Sequence, residues 1–447
     1  MSPDTQQSHV IDDAPMSRFL VKVTAFSSGG SFLDGYVLAI IGVALIGMKT
    51  ALNLSVVEVA LIGAASLAGI FFGALVGGLL TDLFGRRLMF ILDISAIGLV
   101  SIGCVFVNAS WQLVIARLLL GFFIGADYPI ATSLITEFVP KKHRAIGMGI
   151  VSAAWYLGAT AAAFVGFLLH NLDGGWRWML ASGIVPCIIL LIGRRDIPES
   201  PRWLAQHGRA EQARKVMKRV YGTEADLEEE VPRKLGFLAV FKQGYLARVI
   251  YLGVLILCQV VPMYAMYTFG PRIMSAFGLA EGALSILGET VVSLFFLIGT
   301  IPAMFWLNSL GRRPLLIGSL ALMALGLLIP GVFPSAPIIV IIIAFAIYAF
   351  FSGGPGILQW LYPNELFPTE ARATAVGLAI AISRIGVVAS TYGLPLFLEV
   401  YGIGPTMIVG ASLLIIALVM SVLMAPETRG LTLSQASSLP ARKDNNG

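Results

Sequence analysis

The sequence predicts an all-α membrane protein of twelve transmembrane helices in two pseudo-symmetric six-helix bundles. Three observations predict it. Of 447 residues, 57% are hydrophobic and only 12% charged, and the mean hydropathy is +0.87, a composition outside the range of soluble domains. Twelve apolar runs are each long enough, at about 20 residues, to cross roughly 30 Å of hydrocarbon as helices. The segment 137–149, EFVPKKHRAIGMG, returns as 365–377, ELFPTEARATAVG, with Glu137 and Glu365, Pro140 and Pro368, Arg144 and Arg372, Ala145 and Ala373, and Gly149 and Gly377 in register. A parallel repeat of this kind in a membrane chain implies two bundles about a central site.

The runs fall near 19–47, 56–80, 88–107, 111–135, 146–169 and 176–194 in the first half, and near 248–269, 282–307, 314–333, 337–361, 372–395 and 403–424 in the second. The domains are accordingly 1–194, a polar linker 195–246, and 247–447. Within the linker, AEQARKVMKRVYG and LEEEVPRK have the patterning of short amphipathic helices. Of the 30 Lys and Arg, Lys49, Arg177 and Arg272 fall in loops of one side, Arg117 and Arg384 fall within spans, and the other 25 fall on the opposite side with both termini. The positive-inside rule makes that side, and both termini, cytoplasmic in a cell membrane. The formal net charge of +5 is therefore a topology signal and an attraction to anionic lipid, and no argument for nucleic acid.

Cys104, Cys187 and Cys258 lie inside apolar runs and are expected to be packing residues. The four histidines are scattered without metal-ligand spacing, so no metal site is expected. Met1 to Pro15 lacks signal-peptide architecture, and insertion is expected to be directed by the first span. No nucleophile with a base partner and no phosphate loop are found, which excludes an enzyme reading.

Candidate functional residues are the polar groups at membrane depth, because burying an ionised side chain there costs at least a few kcal/mol unless it is paired or used. Asp34 lies in the first span, and Arg117 and Asp127 lie in the fourth, ten positions apart and so about 15 Å along one helix. These three are expected to form a charge relay for protons. Span seven offers Gln259, Tyr264 and Tyr267 around Pro262, where a helix break is expected. Span ten offers a Gly and Pro break at 353–356, then Gln359 and Trp360. Such breaks are tolerated where they line a cavity.

Arg384 in span eleven cannot shed its charge. Its repeat equivalent is Tyr156, so the shared scaffold does not require a cation there. Either Glu289 of span eight or a bound anion pairs with it. On the basic side, Asp82, Arg86 and Arg87 recur as Asn308, Arg312 and Arg313, and PESPRWL, with Glu199 and Arg202, recurs as PETRGL, with Glu427. Together with Glu137, Arg144, Glu365 and Arg372 these are expected to act as gate latches. Asp93, early in span three, is a candidate to join them.

GGLLTDLFGRR, the second GRR, PESPRWL and PETRG resemble the signatures of the major facilitator superfamily and its sugar-porter branch, and the likeness covers nearly the whole chain. Span seven is similar to the sugar-porter span in which paired glutamines and an asparagine hold sugar hydroxyls; here Gln259 keeps one glutamine position, while Cys258 and Tyr264 stand at the other two. FLDGY, which contains Asp34 and Tyr36, and GADYP, which contains Asp127, look like those of proton symporters for phosphate and aromatic acids. Arg384 falls where organic-anion carriers have a substrate-binding Arg. The resemblance implies alternating access, no cofactor beyond the proton as coupling ion, and Asp34, Arg117 and Asp127 in proton coupling. The expected cargo is a small organic anion, such as a monocarboxylate, aromatic acid or vitamin-type carboxylate, held by Arg384, Gln259, Tyr264, Tyr267, Gln359, Trp360, Tyr36, Tyr156 and Glu289. A proton-coupled sugar or polyol symporter and a transport-inactive sensor are the rival readings. The expected partners are the small-molecule substrate and membrane lipid, with the chain acting as a monomer.

Overall fold

The computed structural model describes residues 15–222, 245–279, 282–367 and 369–431. Among them the regular structure is helical: α1 (Arg18–Ala51), α2 (Val56–Phe84), α3 (Arg86–Gly103), α4 (Ser110–Phe138), α5 (Lys141–Leu169), α6 (Gly175–Ala181), α7 (Ile184–Arg194), α8 (Pro201–Gln206), α9 (Ala210–Tyr221), α10 (Leu246–Ala276), α11 (Ala283–Ser309), α12 (Arg312–Val332), α13 (Ile338–Phe351), α14 (Gly353–Leu366), α15 (Thr369–Tyr401) and α16 (Ile403–Met424). Twelve spans among the described residues are long and apolar enough to cross a membrane, α6 with α7 and α13 with α14 each making one. Of the two amphipathic linker helices expected, α9 matches the first; 227–234 lies outside the described residues.

The repeat shows in burial. The most apolar windows of α1 and α10, the opening spans of the two halves, are each 83% buried, whereas that of α16 is 28% buried. A span enclosed by protein can carry polar side chains, and a span facing lipid cannot, which is why Asp34 and Gln259 are found on the two enclosed helices.

Proline breaks the helices in a different place from the one expected. Pro262 lies within regular helix, and the non-helical residue of α10 is Phe269 (φ −129°, ψ 17°), two positions before Pro271. Pro271 has no N–H to offer the Tyr267 carbonyl four residues back, and its ring crowds that carbonyl. The break expected at 353–356 in span ten is not found either: α13 and α14 meet at Ser352, whose dihedrals are helical (φ −63°, ψ −20°), and the Gly356 N–H still donates to the Ser352 carbonyl at 2.9 Å.

By Cα proximity the chain divides into two compact units. The first comprises Met1–Val37, Ala68–Gly158 and Leu180–Pro232; the second comprises Leu38–Leu67, Ala159–Met179 and Arg233–Gly447. The second unit thus takes in the ends of α1, α2, α5 and α6 that lie opposite the basic side. Gly42 of α1 approaches the Tyr267 carbonyl left without its helical donor, and a Cβ at Gly42 would lie 2.5 Å from that oxygen. Thr160 Oγ1 donates to the Ser293 carbonyl at 3.1 Å. A Cβ at Gly63 would meet the Phe269 ring at 2.9 Å.

Candidate functional site

Each unit carries its own polar cluster. In the second unit Arg384 of α15 is half-buried; its Nη1 donates to the Tyr264 hydroxyl of α10 at 2.9 Å, with the guanidinium 5.7 Å from that ring's centroid. Glu289 of α11, 3% exposed, accepts from Ser293 Oγ at 2.9 Å on Oε1 and has no partner for Oε2 among the described residues. A Cβ at Gly270 would sit 2.3 Å from Glu289 Cγ, so the glycine beside the α10 irregularity makes room for this carboxyl. Gln259 is 1% exposed, and neither its amide nitrogen nor its oxygen finds a partner among the described residues. An amide buried with both ends unsatisfied costs a few kcal/mol and marks a group kept for something else. Tyr267 is buried against Phe296, with centroids 5.2 Å apart. Gln359 Nε2 donates to the Gly356 carbonyl at 3.1 Å, and Trp360 is half-buried.

The second unit also holds a cavity of about 510 Å³ opposite the basic side, bordered by Lys49, Asn53, Thr268, Arg272, Ser275 and Ser285 among others.

The first unit holds the buried acids, in an arrangement the sequence does not disclose. Arg117 is 1% exposed, and its Nη1 donates to the Val37 carbonyl of α1 at 2.8 Å. Asp127 instead faces Arg194 of α7, with Oδ1 and Nη1 3.6 Å apart. Ten residues advance a helix by about 2.8 turns, so Arg117 and Asp127 look towards different neighbours. Asp93 of α3, 1% exposed, lies beside Asp127, and Oδ1 of Asp93 accepts from the Ile94 N–H at 2.7 Å. Asp34 is buried near enough for its charge to act on Arg194. Arg194, counted in the sequence with the basic-side cations, is 1% exposed. It donates from Nε to the Phe26 carbonyl at 3.1 Å and from Nη1 to the Phe90 carbonyl at 3.0 Å, and lies over the Phe90 ring at 3.2 Å. The sequence signals for Asp93 and Arg194 were an acid two turns into one span and an Arg at the end of another, both of which also suit helix ends in water. Tyr36 pairs with Ser182 through their hydroxyls at 2.7 Å, and Tyr156 packs edge-on to Trp155.

On the basic side the repeated acids are helix caps within their own halves. Glu199 accepts the backbone N–H of Arg86 at 2.9 Å and of Arg87 at 3.0 Å. Glu427 accepts those of Arg312 and Arg313, both at 3.0 Å. A carboxylate on the first N–H groups of a helix satisfies donors that have no helical partner and sits at the positive end of the dipole. Gly85 and Gly311 precede these helices at φ 95° and 96°, and a Cβ on either would fall 2.5 or 2.7 Å from the capping oxygen. Both conditions require glycine. Arg312 also holds Glu365 with two bonds, Nη2 to Oε1 at 2.7 Å and Nε to Oε2 at 3.3 Å, and Thr428 Oγ1 donates to the same carboxylate at 2.5 Å. For Glu427, burial pushes the carboxyl up while the backbone N–H groups of Arg312, Arg429, Arg313 and Thr428 pull it further down, leaving it below its ordinary value. The side chains of Asp82, Glu137, Arg144, Arg202 and Arg372 lie outside the described residues.

The family model described as "Sugar (and other) transporter" matches residues 22–439. The Escherichia coli (strain K12) protein YaaU is 48% identical over 98% of this chain and 99% of its own length. The arabinose-proton symporter of Bacillus subtilis (strain 168) is 27% identical over 94% of this chain and 95% of its own. The partially occluded, inward-open structure of the xylose transporter XylE from E. coli superposes with a TM-score of 0.79 at 23% identity, covering 93% of this chain and all of that one.

Proposed function

The chain belongs to the sugar (and other) transporter family of the major facilitator superfamily, and from that premise we propose that it is a proton-coupled symporter that imports a small polyhydroxylated metabolite, a sugar or polyol, by alternating access. The observation that carries the reading is Gln259. A carboxamide offers two donors and an acceptor to a hydroxyl-bearing ligand, and here both ends are buried without a protein partner among the described residues. The arabinose-proton symporter relative supports both the cargo class and the coupling ion. Buried acids in the first unit, Asp34 and Asp127 among them, are the groups that would take the proton from the outer side. The basic side is taken as cytoplasmic, as the positive-inside rule requires.

The test is uptake into proteoliposomes under an imposed proton gradient, with a panel of neutral pentoses, hexoses and inositols beside sugar acids, monocarboxylates and aromatic acids. Accumulation of a neutral sugar or polyol, with affinity lowered at least about tenfold in Gln259→Leu, is the expected result. Accumulation of carboxylates alone would reject the neutral cargo.

A second reading, an organic anion as cargo, is favoured by two placements: Arg384 within hydrogen-bonding distance of Tyr264, and Lys49 with Arg272 at the rim of the 510 Å³ cavity. Under it, Arg384→Gln removes binding of the acid while leaving any neutral sugar binding intact.

A further inference from the structure

Three carboxyls and one guanidinium are buried together in the first unit. Asp34 comes from α1, Asp93 from α3, Asp127 from α4 and Arg194 from α7, all 1 or 2% exposed. Cys187 of α7 is the other titratable group that faces them among the described residues, and the side chains of Asp82, of 128–137 and of 141–146 lie outside that description. Arg117 is turned to the Val37 carbonyl and takes no part.

The protonation state of this group is constrained by its own geometry. Two carboxylates side by side and away from water cannot both stay ionised, so such a pair holds a proton. Asp93 and Asp127 lie side by side, with Arg194 facing Asp127 at 3.6 Å and bonded to the Phe90 carbonyl one turn before Asp93. Were both ionised, the group would carry three negative charges against one positive charge away from water, a state that buried sites do not sustain. Arg194 is fixed in place by the Phe26 and Phe90 carbonyls and the Phe90 ring, and its Nη2 has no hydrogen-bond partner among the described residues. One oxygen each of Asp93 and Asp127 is likewise without a hydrogen-bond partner among them. A charged donor therefore stands ready, aimed at the space beside Asp127: a Cβ at Gly30 would come within 1.7 Å of Asp127 Oδ2 and 2.9 Å of Arg194 Nη2.

We infer that Asp93 and Asp127, with Arg194 as their fixed countercharge, form the site that binds and releases the coupling proton. Loaded, the proton is shared by the two carboxyls. On release, water admitted from the basic side takes the proton and solvates the Asp93 carboxylate, the proton shared by the two carboxyls is lost, and the Asp127 carboxylate takes the idle Nη2 donor of Arg194, so that one charge-assisted hydrogen bond replaces the one lost. Gly30 lets α1 lie against the pair, so the exchange of partners occurs at the surface of the most enclosed helix of the first half.

The inference rests on the proton-coupled reading above, and its test separates the two. Infrared difference spectra of the reconstituted protein titrated with pH in light and heavy water report a protonated carboxyl directly. The wild type should show a carboxylic-acid carbonyl band that shifts on deuteration and bleaches at high pH, and Asp93→Asn and Asp127→Asn should each remove it. In the proteoliposome assay Asp93→Asn should abolish gradient-driven accumulation while counterflow exchange of cargo persists. A band absent from the wild type, or unchanged in both variants, would overturn the assignment, as would Asp93→Asn accumulating cargo like the wild type. If Asp93→Asn fails to fold, the wild-type band and its loss in Asp127→Asn decide alone. Wild-type transport indifferent to the proton gradient would instead sink the coupled reading, whatever the band shows.

Discussion

Glu427→Ala removes a carboxylate that accepts backbone N–H groups, those of Arg312 and Arg313 at 3.0 Å and of Arg429 at 2.8 Å among them. Hydrogen bonds to a charged acceptor contribute roughly 1.5–3 kcal/mol each when buried, and a charge at a helix N-terminus adds about 0.3–1 kcal/mol. Glu427 is only half-buried, so water can reach the vacated donors, and the net loss is put at about 2–4 kcal/mol. At roughly 2–4 °C per kcal/mol for a unit of some 200 residues, the melting midpoint should fall by roughly 4–16 °C. Thermal melts of the detergent-solubilised protein give the value, with Glu427→Gln, which keeps one acceptor, falling between. The sign with pH follows from the carboxyl lying below its ordinary value when folded. Its contribution is complete above the ordinary glutamate range and is lost as pH falls through the folded value, so wild type and variant should converge in acid. A difference below about 0.5 kcal/mol at neutral pH, within the range of ordinary surface substitutions, or one that does not change with pH, would refute the capping role.

The glycine before the same helix supplies a second check: Gly311→Ala must hold φ 96° and place a Cβ 2.7 Å from the capping oxygen, at a cost of about 1–3 kcal/mol, whereas Gly318→Ala, with nothing within 4 Å, should be neutral or stabilising by up to about 1 kcal/mol. Equal midpoints for the two variants would remove the argument from backbone geometry. Gly42→Val should force α1 away from the Tyr267 carbonyl, which a Cβ would approach to 2.5 Å, and so raise maleimide labelling of a cysteine placed at Thr268. Labelling equal to that of the unwedged control would show that this contact does not close the region.

The spans and the twofold repeat are legible because both are carried by the side chains themselves. Apolar length sets a span, and matched residues at matched spacing set a repeat. The caps are half legible: Glu199 and Glu427 recur at matched places in PESPRWL and PETRGL, but the groups they hold are backbone N–H groups of distant helices, which no residue type advertises, so side-chain latches are the natural expectation. Pro262 and Pro271 look alike in the sequence, yet the backbone departs from helical geometry only near the second, where α1 is packed close enough to occupy the space. The pairing of Asp127 with Arg194 instead of Arg117 depends on which way each side chain faces around α4 and on how α3 and α7 are set beside it. Arg194 in particular reads as an ordinary anchor at the end of a span until the Phe26 and Phe90 carbonyls are seen to hold it inside.

The grouping of 38–67 and 159–179 with the second half has a consequence for how the polypeptide can be cut. The grip between these segments and α10 and α11 comes from glycine faces and a threonine bond, and none of these contacts lies in the linker. A version severed between residues 222 and 245 and expressed as two pieces should therefore reassemble in the bilayer without a covalent tether, with the early segments serving as the handle by which one fragment finds the other.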